Sequence, residues 1–323
     1  MIVITGGAGF IGSCLIAGLN ARGIKDILVV DSLDESDKWK NLVGKSFLDY
    51  TDKTVFLEKI GSGQFQSLGD IQAVFHMGAC STTTENNLSY LIENNTLYTR
   101  ELALFCIRHQ IPFYYASSAA TYGNGKDGFE DDENKLDALS PQNAYGFSKY
   151  LFDLWAHRHG WLKQITGFKF FNVFGPNEGH KTGMTSIVYN AFHQIQKTGS
   201  MRLFRSDHPD FRDGEQQRDF IYVKDVVNII LWFLDHPQYK GLYNLGRGTP
   251  ETWNRMTQCV FKAMGVPPNI IYIEMPAMLK KKYQYYTCAA MEKLKKICPV
   301  SFTSSEKSVE DYVQNHLLKD MAW

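Results

Sequence analysis

The sequence lacks an excess of charge of either sign and lacks long apolar runs. Its 34 lysines and arginines balance 34 aspartates and glutamates, so net charge favours neither nucleic acid nor a membrane surface as a partner. No apolar run approaches the ~18 residues of a membrane span, and a β-like run already begins at residue 2. We therefore expect no signal peptide, no membrane partner, no nucleic acid and a cytoplasmic location.

Cysteine pairs and metal-ligand spacings are also missing. The sequence has no C-x-x-C motif, and no histidine stands at a metal-ligand spacing. This usage is typical of reduced thiols in a cytosolic protein, so we expect mostly buried, unpaired cysteines and no metal. The six cysteines are Cys14, Cys80, Cys106, Cys259, Cys288 and Cys298.

What the sequence does have is a regular alternation of strands and helices. With 323 residues, including 17 Tyr and 21 Phe, the chain can bury a large core. Short apolar runs alternate with helical patterns through residue 171, which predicts an α/β fold with a doubly wound parallel sheet. Beyond residue 246 the pattern changes to a smaller α+β region. The predicted strands are 1–5, 27–30, 71–75, 113–116, 165–171 and, with its turn, 243–246.

A glycine pattern follows the first predicted strand. Gly6, Gly9 and Gly12 stand between that strand and a helical pattern over 13–20. Such glycines allow a tight turn, close backbone approach to a pyrophosphate and close packing of helix on strand. The anion would lie at the helix N-terminus, where free N–H groups and the helix dipole favour it. The position of the pattern favours a dinucleotide site over a plain turn.

The end of the second predicted strand bears on the choice of cofactor. Asp31 follows this strand and can accept hydrogen bonds from an adenosine ribose, which favours NAD because a carboxylate repels a 2′-phosphate. Lys38 and Lys40 follow in a polar loop, and either could neutralise such a phosphate. The residues alone leave NAD and NADP open.

A tyrosine and a lysine stand four positions apart in a predicted helix. On a helix, Tyr145 and Lys149 share a face. A nearby ammonium lowers the pKa of a phenol, and an oxidised nicotinamide would add a second positive charge, so Tyr145 is a candidate general base. Ser118 follows a predicted strand, at the sheet edge where α/β proteins bind ligands. The alternative interpretation is an exposed helix with an unrelated Tyr and Lys.

Connecting segments carry further predictions. Residues 124–140 have the composition of a surface loop, so we expect the four acids Glu130–Glu133 to be solvated. One helix is expected to begin near Pro141 and another at about Met184. A basic stretch covers 280–283.

Five segments resemble, in order, those of the extended short-chain dehydrogenase/reductase family. They are Gly6-x-x-Gly9-x-x-Gly12, the region of Ser118, Tyr145-x-x-x-Lys149, Phe171–Pro176 and Arg218–Val223. The likeness spans nearly the whole chain. It implies a Rossmann-type NADP-binding domain of residues 1–171 plus about 218–246, and a substrate-binding domain of about 172–217 plus 247–323.

Within that family the chain is most similar to nucleotide-sugar epimerases that invert C6″ of an ADP-heptose used in lipopolysaccharide cores. Glu178-Gly179-His180-Lys181 is the most telling segment, because ordinary nucleotide-sugar 4-epimerases do not carry it. The resemblance implies an ADP-heptose substrate and one tightly bound NADP per subunit, with NAD as the alternative. It also implies a homo-oligomer, such as a pentamer, in a Gram-negative cytoplasm.

The resemblance also assigns site residues by position. The catalytic group is Ser118, Tyr145, Lys149 and Lys181. Cofactor contacts are Gly6, Gly9, Phe10, Ile11, Gly12, Asp31, Ser32, Lys38, Lys53, Met77, Gly78, Ala79, Cys80, Ser81, Asn94, Lys149 and Val173. Substrate contacts are Ser118, Asn172, Gly183, Asn190, Phe204, Arg205, Arg218 and Tyr283.

Three departures from the family pattern matter for these assignments. Met77 replaces a glutamate, and Asn190 replaces a histidine at a substrate-facing position. The loop 205–217 is longer than in relatives, so Arg202 or Arg205 could share the contact with the diphosphate.

The implied chemistry is oxidation at C6″ to a transient ketone, followed by reduction on the opposite face. One base cannot serve both stereoisomers, so the resemblance makes Tyr145 one acid/base group and Lys181 the other. From the residues alone, Lys181 in a glycine-containing loop fits a phosphate contact equally well.

Two other functions remain as alternatives. One is a different nucleotide-sugar epimerase or a 4,6-dehydratase of the same fold, although Ala119 and Ala120 stand where a dehydratase usually has an acid pair. The other is a non-catalytic NADP-binding sensor or scaffold. The intact Ser118, Tyr145 and Lys149 argue against the second, because a scaffold has no need of a phenolate.

Overall fold

The computed structural model describes residues 1–63, 69–181, 183–280 and 283–323. Thr182, next to the predicted catalytic lysine, and Lys281 and Lys282 of the basic stretch lie outside the described residues. The strands are β1 Ile2–Thr5, β2 Ile27–Asp31, β3 Asp49–Asp52, β4 Ala73–His76, β5 Phe113–Ser118, β6 Thr166–Phe170, β7 Asn172–Phe174, β8 Met201–Phe204, β9 Gln217–Arg218, β10 Phe220–Tyr222, β11 Gly241–Leu245, β12 Glu251–Thr252 and β13 Ile270–Ile273.

A seven-stranded sheet forms the centre of the molecule. Its strand order is β11-β6-β5-β4-β1-β2-β3, and each neighbouring pair is parallel. The order reverses between β1 and β4, which makes their carboxyl edge the switch point where such sheets bind ligands. The predicted α/β fold with a doubly wound parallel sheet is confirmed.

The helices cover both faces of this sheet. The α-helices are α1 Phe10–Ala21, α2 Lys53–Gly61, α3 Leu88–Leu91, α4 Tyr98–Arg108, α5 Ala144–Arg158, α6 Ile187–Thr198, α7 Val223–Asp235, α8 Trp253–Met264, α9 Ala277–Lys280, α10 Glu292–Lys295 and α11 Ser305–Asp311. Short 3₁₀ segments cover Asp37–Leu42, Ala119–Tyr122, Glu133–Ala138 and Trp161–Lys163, and π turns cover Ile92–Leu97 and Tyr312–Leu317.

Side-chain alternation along the strands explains the two-faced core. In β1, Ile2 and Ile4 join one buried cluster with α1 and α7, whereas Val3 joins a second cluster with α4 and α5. Successive strand residues point to opposite faces, so strands that are apolar throughout must be covered on both. Helix α1 packs directly on α7, because a Cβ on Gly18 would lie 2.4 Å from a Val227 methyl carbon.

Three small sheets lie outside the central one. Strands β7 and β10 pair in parallel, β9 and β12 pair antiparallel, and β8 pairs in parallel with β13. They and the helices α6, α8 and α11 are formed largely by residues after 171. No helix in the described ranges is long and apolar enough to cross a membrane. All six cysteines are free and four are buried, as predicted.

Three local predictions were wrong. Helix α5 begins at Ala144 rather than near Pro141, because Asn143 caps it by accepting from the Gly146 N–H at 2.7 Å. Helix α6 begins at Ile187 rather than Met184, with Ser186 as its cap.

The acid run is the third error, because only part of it is solvated. The Asp131 carboxylate is buried and accepts from the Asn244 N–H at 2.9 Å. The Glu133 carboxylate accepts from the Leu242 N–H at 2.8 Å and from Lys293 Nζ at 2.9 Å. Two of the four acids therefore tie this segment to β11, the outer strand of the sheet.

Candidate active site

A large cavity opens at the carboxyl edge of the central sheet. Its volume is about 1170 Å³. It is lined by the ends of β1, β2, β4 and β5, the segment after β6 and the loop before α6. Of the predicted site residues, those in the lining are Gly6, Gly9, Phe10, Ile11, Gly12, Asp31, Lys38, Met77, Gly78, Ala79, Ser81, Ser118, Tyr145, Lys149, Asn172, Val173, Lys181, Gly183 and Tyr283.

The glycine-rich turn fits an anion at the N-terminus of α1. Gly6 has φ +67°, and a Cβ there would lie 2.5 Å from the Gly78 backbone. A Cβ on Gly12 would lie 2.1 Å from the Gly6 carbonyl oxygen. Gly9 is the N-cap and offers no side chain to the first turn of α1, so the free N–H groups of that turn remain for a ligand. These residues fit the diphosphate of a dinucleotide.

Asp31 and Lys38 form an ion pair at the edge of this turn. Lys38 Nζ donates to Asp31 Oδ1 at 2.8 Å. The same carboxylate accepts from the Ala8 N–H at 2.9 Å and the Ser32 N–H at 2.8 Å. Asp31 is therefore held by the protein with its negative charge compensated, which reduces its repulsion of a phosphate.

Ser118, Tyr145 and Lys149 come together where β5 ends and α5 begins. The Ser118 hydroxyl hydrogen-bonds with the Tyr145 phenol and accepts from the Ala120 N–H at 3.1 Å. Lys149 Nζ donates to the Ala116 carbonyl oxygen at 2.8 Å. One turn of helix and one strand end thus place a hydroxyl, a phenol and an amine along one wall of the cavity.

Burial has the largest effect on the pKa values of Tyr145 and Lys149 in this wall. Burial raises the pKa of Tyr145, the Ser118 hydrogen bond opposes that shift, and the Cys80 thiol adds to it. Burial also lowers the pKa of Lys149 to about 8, while the Asp153 carboxylate opposes this shift. In the protein alone the pKa of Tyr145 is therefore raised, because desolvation is the largest effect on it. The lowering by Lys149 and an oxidised nicotinamide stays a prediction.

A buried charged network under this wall was missed from the sequence. Asp153 accepts from Tyr115 Oη at 2.8 Å, from Ser117 Oγ at 2.6 Å and from Lys169 Nζ at 2.8 Å. The side chains of Lys169 and Asp153 are 1% and 0% exposed. Asp153 stands four residues after Lys149, so helical spacing could have indicated it. Nothing local indicates Lys169.

Lys181 lies near the glycine-rich turn. Its Nζ is 4.9 Å from the centre of the Phe10 ring, at the first residue of α1. Burial lowers the pKa of Lys181, and the Glu178 carboxylate opposes that shift. This placement is compatible with either role predicted for the amine, proton transfer or phosphate binding.

Some of the predicted substrate residues line the cavity and the others do not. Those in the lining are Ser118, Asn172, Gly183 and Tyr283. Arg218 is buried behind it, 5.8 Å from the Trp253 ring centre and 5.4 Å from that of Tyr283, and it donates to the Gln284 carbonyl oxygen. Trp253 and Gln284 also line the cavity, and the sequence did not single them out.

The remaining substrate predictions lie away from the cavity lining. Arg205 is exposed and pairs with Glu274 at 3.7 Å. Asn190 is exposed and bonds with Thr185, which itself lines the cavity. Phe204 ends β8 and also lies outside the lining.

Four predicted cofactor residues are not part of the lining: Ser32, Lys53, Cys80 and Asn94. Lys53 Nζ donates to Asn94 Oδ1 at 2.7 Å. The Cys80 backbone exchanges two hydrogen bonds, of 2.8 and 3.0 Å, with the Asn95 side-chain amide. Asn95 is a buried residue that the sequence did not indicate.

The site combines a glycine-rich turn at the switch point with a Ser-Tyr-Lys group beside it. The sequence of this chain also matches a known protein family over most of its length. The profile of the NAD dependent epimerase/dehydratase family matches residues 2–246. The chain belongs to that family.

Two curated relatives are similar over nearly their whole length. The ADP-L-glycero-D-manno-heptose-6-epimerase of Nitratidesulfovibrio vulgaris (strain DP4) is 50% identical over 318 residues, which is 98% of each chain. The enzyme of the same name from Fusobacterium nucleatum subsp. nucleatum is 43% identical over 330 residues, 99% of each. The resemblance inferred from the motifs is confirmed.

Solved structures agree with the fold. The Helicobacter pylori ADP-L-glycero-D-manno-heptose-6-epimerase superposes with a TM-score of 0.80 at 26% identity, covering 97% of this chain and 95% of that one. The Thermotoga maritima UDP-glucose 4-epimerase superposes with a TM-score of 0.79 at 22% identity, covering 99% of each. At 22% identity, the similarity to the Thermotoga maritima enzyme supports the fold alone.

Proposed function

We propose that the protein is an isomerase that inverts C6″ of ADP-D-glycero-D-manno-heptose, giving ADP-L-glycero-D-manno-heptose through a transient 6″-ketone, in the synthesis of lipopolysaccharide core heptose. The observation that carries this proposal is that one cavity is lined by two separate candidate proton-transfer groups, Tyr145 and Lys181. The relatives that share this chain's length carry the name of the same activity.

Tyr145 is the first acid/base group in this proposal. Its deprotonated form, the phenolate, accepts the proton of the C6″ hydroxyl and becomes the phenol, while the Ser118 hydroxyl, which hydrogen-bonds with Tyr145, holds the reacting oxygen. The glycine-rich turn of Gly6, Gly9 and Gly12 would hold a nicotinamide dinucleotide, which would supply hydride transfer and, in its oxidised form, positive charge. Positive charge opposes the effect of burial on the Tyr145 pKa.

Lys181 is the second acid/base group. After the reacting end of the sugar turns to present the other face of the ketone, its oxygen no longer points at Tyr145. Burial lowers the pKa of this amine, so it releases a proton more readily than an exposed lysine and can then exchange one with that oxygen. The alternative role, an anchor for the diphosphate, predicts a loss of substrate affinity instead.

We further propose NADP, one per subunit, as the preferred cofactor and NAD as the weaker one. The support is the Asp31–Lys38 pair, since the carboxylate is already compensated and the lysine stands at the rim of the turn. The domain division at residues 171, 218 and 246, the homo-oligomer and the cytoplasmic location stay predictions. Asn172, Gly183, Arg218 and Tyr283 are proposed to hold the nucleotide sugar.

The test is to incubate the purified protein, with its cofactor, with each C6″ epimer of ADP-heptose in D₂O. NMR should show conversion in both directions with no solvent deuterium at C6″, because the same hydride returns. UDP-glucose serves as the control and should be unchanged. No conversion of either heptose, or substantial deuterium at C6″, would refute the proposal.

A further inference from the structure

A buried glutamate holds the loop that carries Lys181, which we call the Lys181 loop (its described residues are 175–181 and 183–186). The Glu178 side chain is buried and accepts from the Ser186 N–H at 2.5 Å and from Ser186 Oγ at 2.6 Å. It also accepts from the Gly175 N–H at 3.3 Å. One carboxylate therefore joins the first and the last residue of the loop.

Glu178 makes two more contacts, one with the Lys181 backbone and one with Tyr312. The Glu178 carbonyl oxygen accepts from the Lys181 N–H at 3.0 Å, which fixes the backbone of the lysine. The Tyr312 hydroxyl hydrogen-bonds with the Glu178 side chain from the π turn after α11. The two N–H partners can only donate, and the Ser186 and Tyr312 hydroxyls can donate as well, so these contacts stabilise the ionised form against burial, which raises the pKa of this carboxyl.

The loop is further attached to both sides of the cofactor turn. Asn177 has φ +74°, a strained value for a residue with a side chain. Its Nδ2 donates to Ser13 Oγ of α1 at 3.0 Å, and its carbonyl oxygen accepts from Asn41 Nδ2 at 3.1 Å. These tethers leave little freedom to the residues just before Lys181, so the position of its amine depends on them.

We propose that Glu178 is a positioning residue for the epimerisation: its carboxylate closes the Lys181 loop through Gly175 and Ser186 and places a negative charge in the surroundings of the Lys181 amine. This inference rests on the proposed function, because it gives Lys181 an acid/base role. It concerns Glu178 itself, which would touch neither the sugar nor the cofactor.

Within the described part of the chain, titratable groups from four elements interact electrostatically with Glu178. They are Lys181 on the loop, Tyr189 of α6, Tyr312 of the π turn and the Cys14 thiol of α1. Because the Glu178 carboxylate opposes the effect of burial on the Lys181 pKa, removing its charge lowers that pKa further.

The experiment compares Glu178→Gln with a matched control, Asp225→Asn. Asp225 is also a buried carboxylate, and it accepts from the N–H and the hydroxyl of one residue, Thr303, at 2.9 and 2.8 Å. Both variants lose a buried carboxylate tether of the same kind, but Asp225 lies outside the cavity lining. Thermal unfolding of each measures the purely structural loss.

The readout is single-turnover oxidation of each C6″ epimer, followed at 340 nm across pH. Lys181→Met identifies the epimer whose oxidation needs the amine. With that epimer, Glu178→Gln should be slower by about tenfold or more. In its pH–rate profile, the limb that reports the titration of Lys181 should move to lower pH. The other epimer should react within about threefold of the unmodified protein. Asp225→Asn should show neither the difference between epimers nor the shifted limb.

Ser186→Ala and Tyr312→Phe keep the charge but remove one donor each, and they serve if Glu178→Gln does not fold. They should slow the lysine-dependent epimer while leaving the pH limb in place. Equal slowing of both epimers by Glu178→Gln, or by this pair, would show that Glu178 is structural only and overturn the inference. If Lys181→Met itself slows both epimers equally, the proposed role of Lys181 has failed instead.

Discussion

The two candidate proton-transfer groups are built in different ways. Tyr145 stands on α5, and its partners come from regular elements: Lys149 one helical turn away and Ser118 at the end of β5. Lys181 stands on a loop between β7 and α6, and its place depends on Glu178 and Asn177. The comparison teaches that the first group is set by helical spacing and the second by contacts between distant parts of the chain.

The largest effect is expected from removing the phenol on the Tyr145 side. Tyr145→Phe should slow epimerisation by about 10²–10⁴-fold, the usual contribution of a general acid/base. Cofactor affinity should stay near that of the unmodified protein, because the glycine-rich turn is untouched. NMR of the C6″ proton measures turnover, and near-normal conversion would remove Tyr145 from its proposed role.

The next effect tests the buried network that supports Lys149. Asp153→Asn leaves the buried Lys169 ammonium without a negative charge, although it keeps its hydrogen bond to Thr121 Oγ1 at 2.6 Å. The variant should therefore cost about 3–5 kcal/mol of unfolding free energy. Urea denaturation measures this loss. The double variant Asp153→Asn with Lys169→Met should recover most of it, since neither charge then remains. Equal instability of the single and double variants would contradict the ion-pair interpretation.

The same pair of variants has a consequence for pH. The Asp153 carboxylate opposes the lowering of the Lys149 pKa, so its loss should take that pKa below about 8 in both variants. Activity that depends on the Lys149 ammonium is lost as pH rises. In both variants this loss should occur at a lower pH than in the unmodified protein. A double variant that regains stability but keeps the unmodified pH profile would show that Asp153 does not act on Lys149.

Removing the Lys181 amine should affect the oxidation of the two C6″ epimers to different extents. Lys181→Met should slow overall epimerisation by about 10²-fold, the lower end of a general acid/base contribution, yet retain oxidation of the one epimer that Tyr145 serves, within about tenfold. Single-turnover absorbance at 340 nm, with each epimer in turn, measures it. Equal loss with both epimers and a large rise in substrate Kd would make the amine a diphosphate anchor.

The smallest effect concerns the rim of the turn, away from both groups. Lys38→Ala should shift preference from NADP toward NAD by about tenfold, because one charge-assisted hydrogen bond is worth roughly 1.5–3 kcal/mol. Titration of both cofactors against both proteins measures it. An unchanged ratio would mean that Lys38 serves Asp31 alone.

Local patterns predicted the parts of the site that lie within one element. The glycines of the turn, Asp31 at the end of β2 and the Tyr145–Lys149 pair all follow from spacing along a strand or a helix. The alternation that predicts the sheet is of the same kind, because strands buried on both faces must be apolar throughout. These features need no knowledge of the rest of the chain.

The sequence by itself thus determined the parallel sheet, the cofactor turn and the Tyr145 wall, whereas only the tertiary structure decided which polar residues are buried and paired. Asp131 in a run of acids bonds to Asn244, 113 residues later, and Glu178 is enclosed by loop and π-turn donors. The Arg205 side chain, predicted at the substrate, is exposed and pairs with Glu274 in the protein alone. The physical reason is that burying a charge is favourable only where donors from several distant segments converge, and no short-range pattern records that convergence.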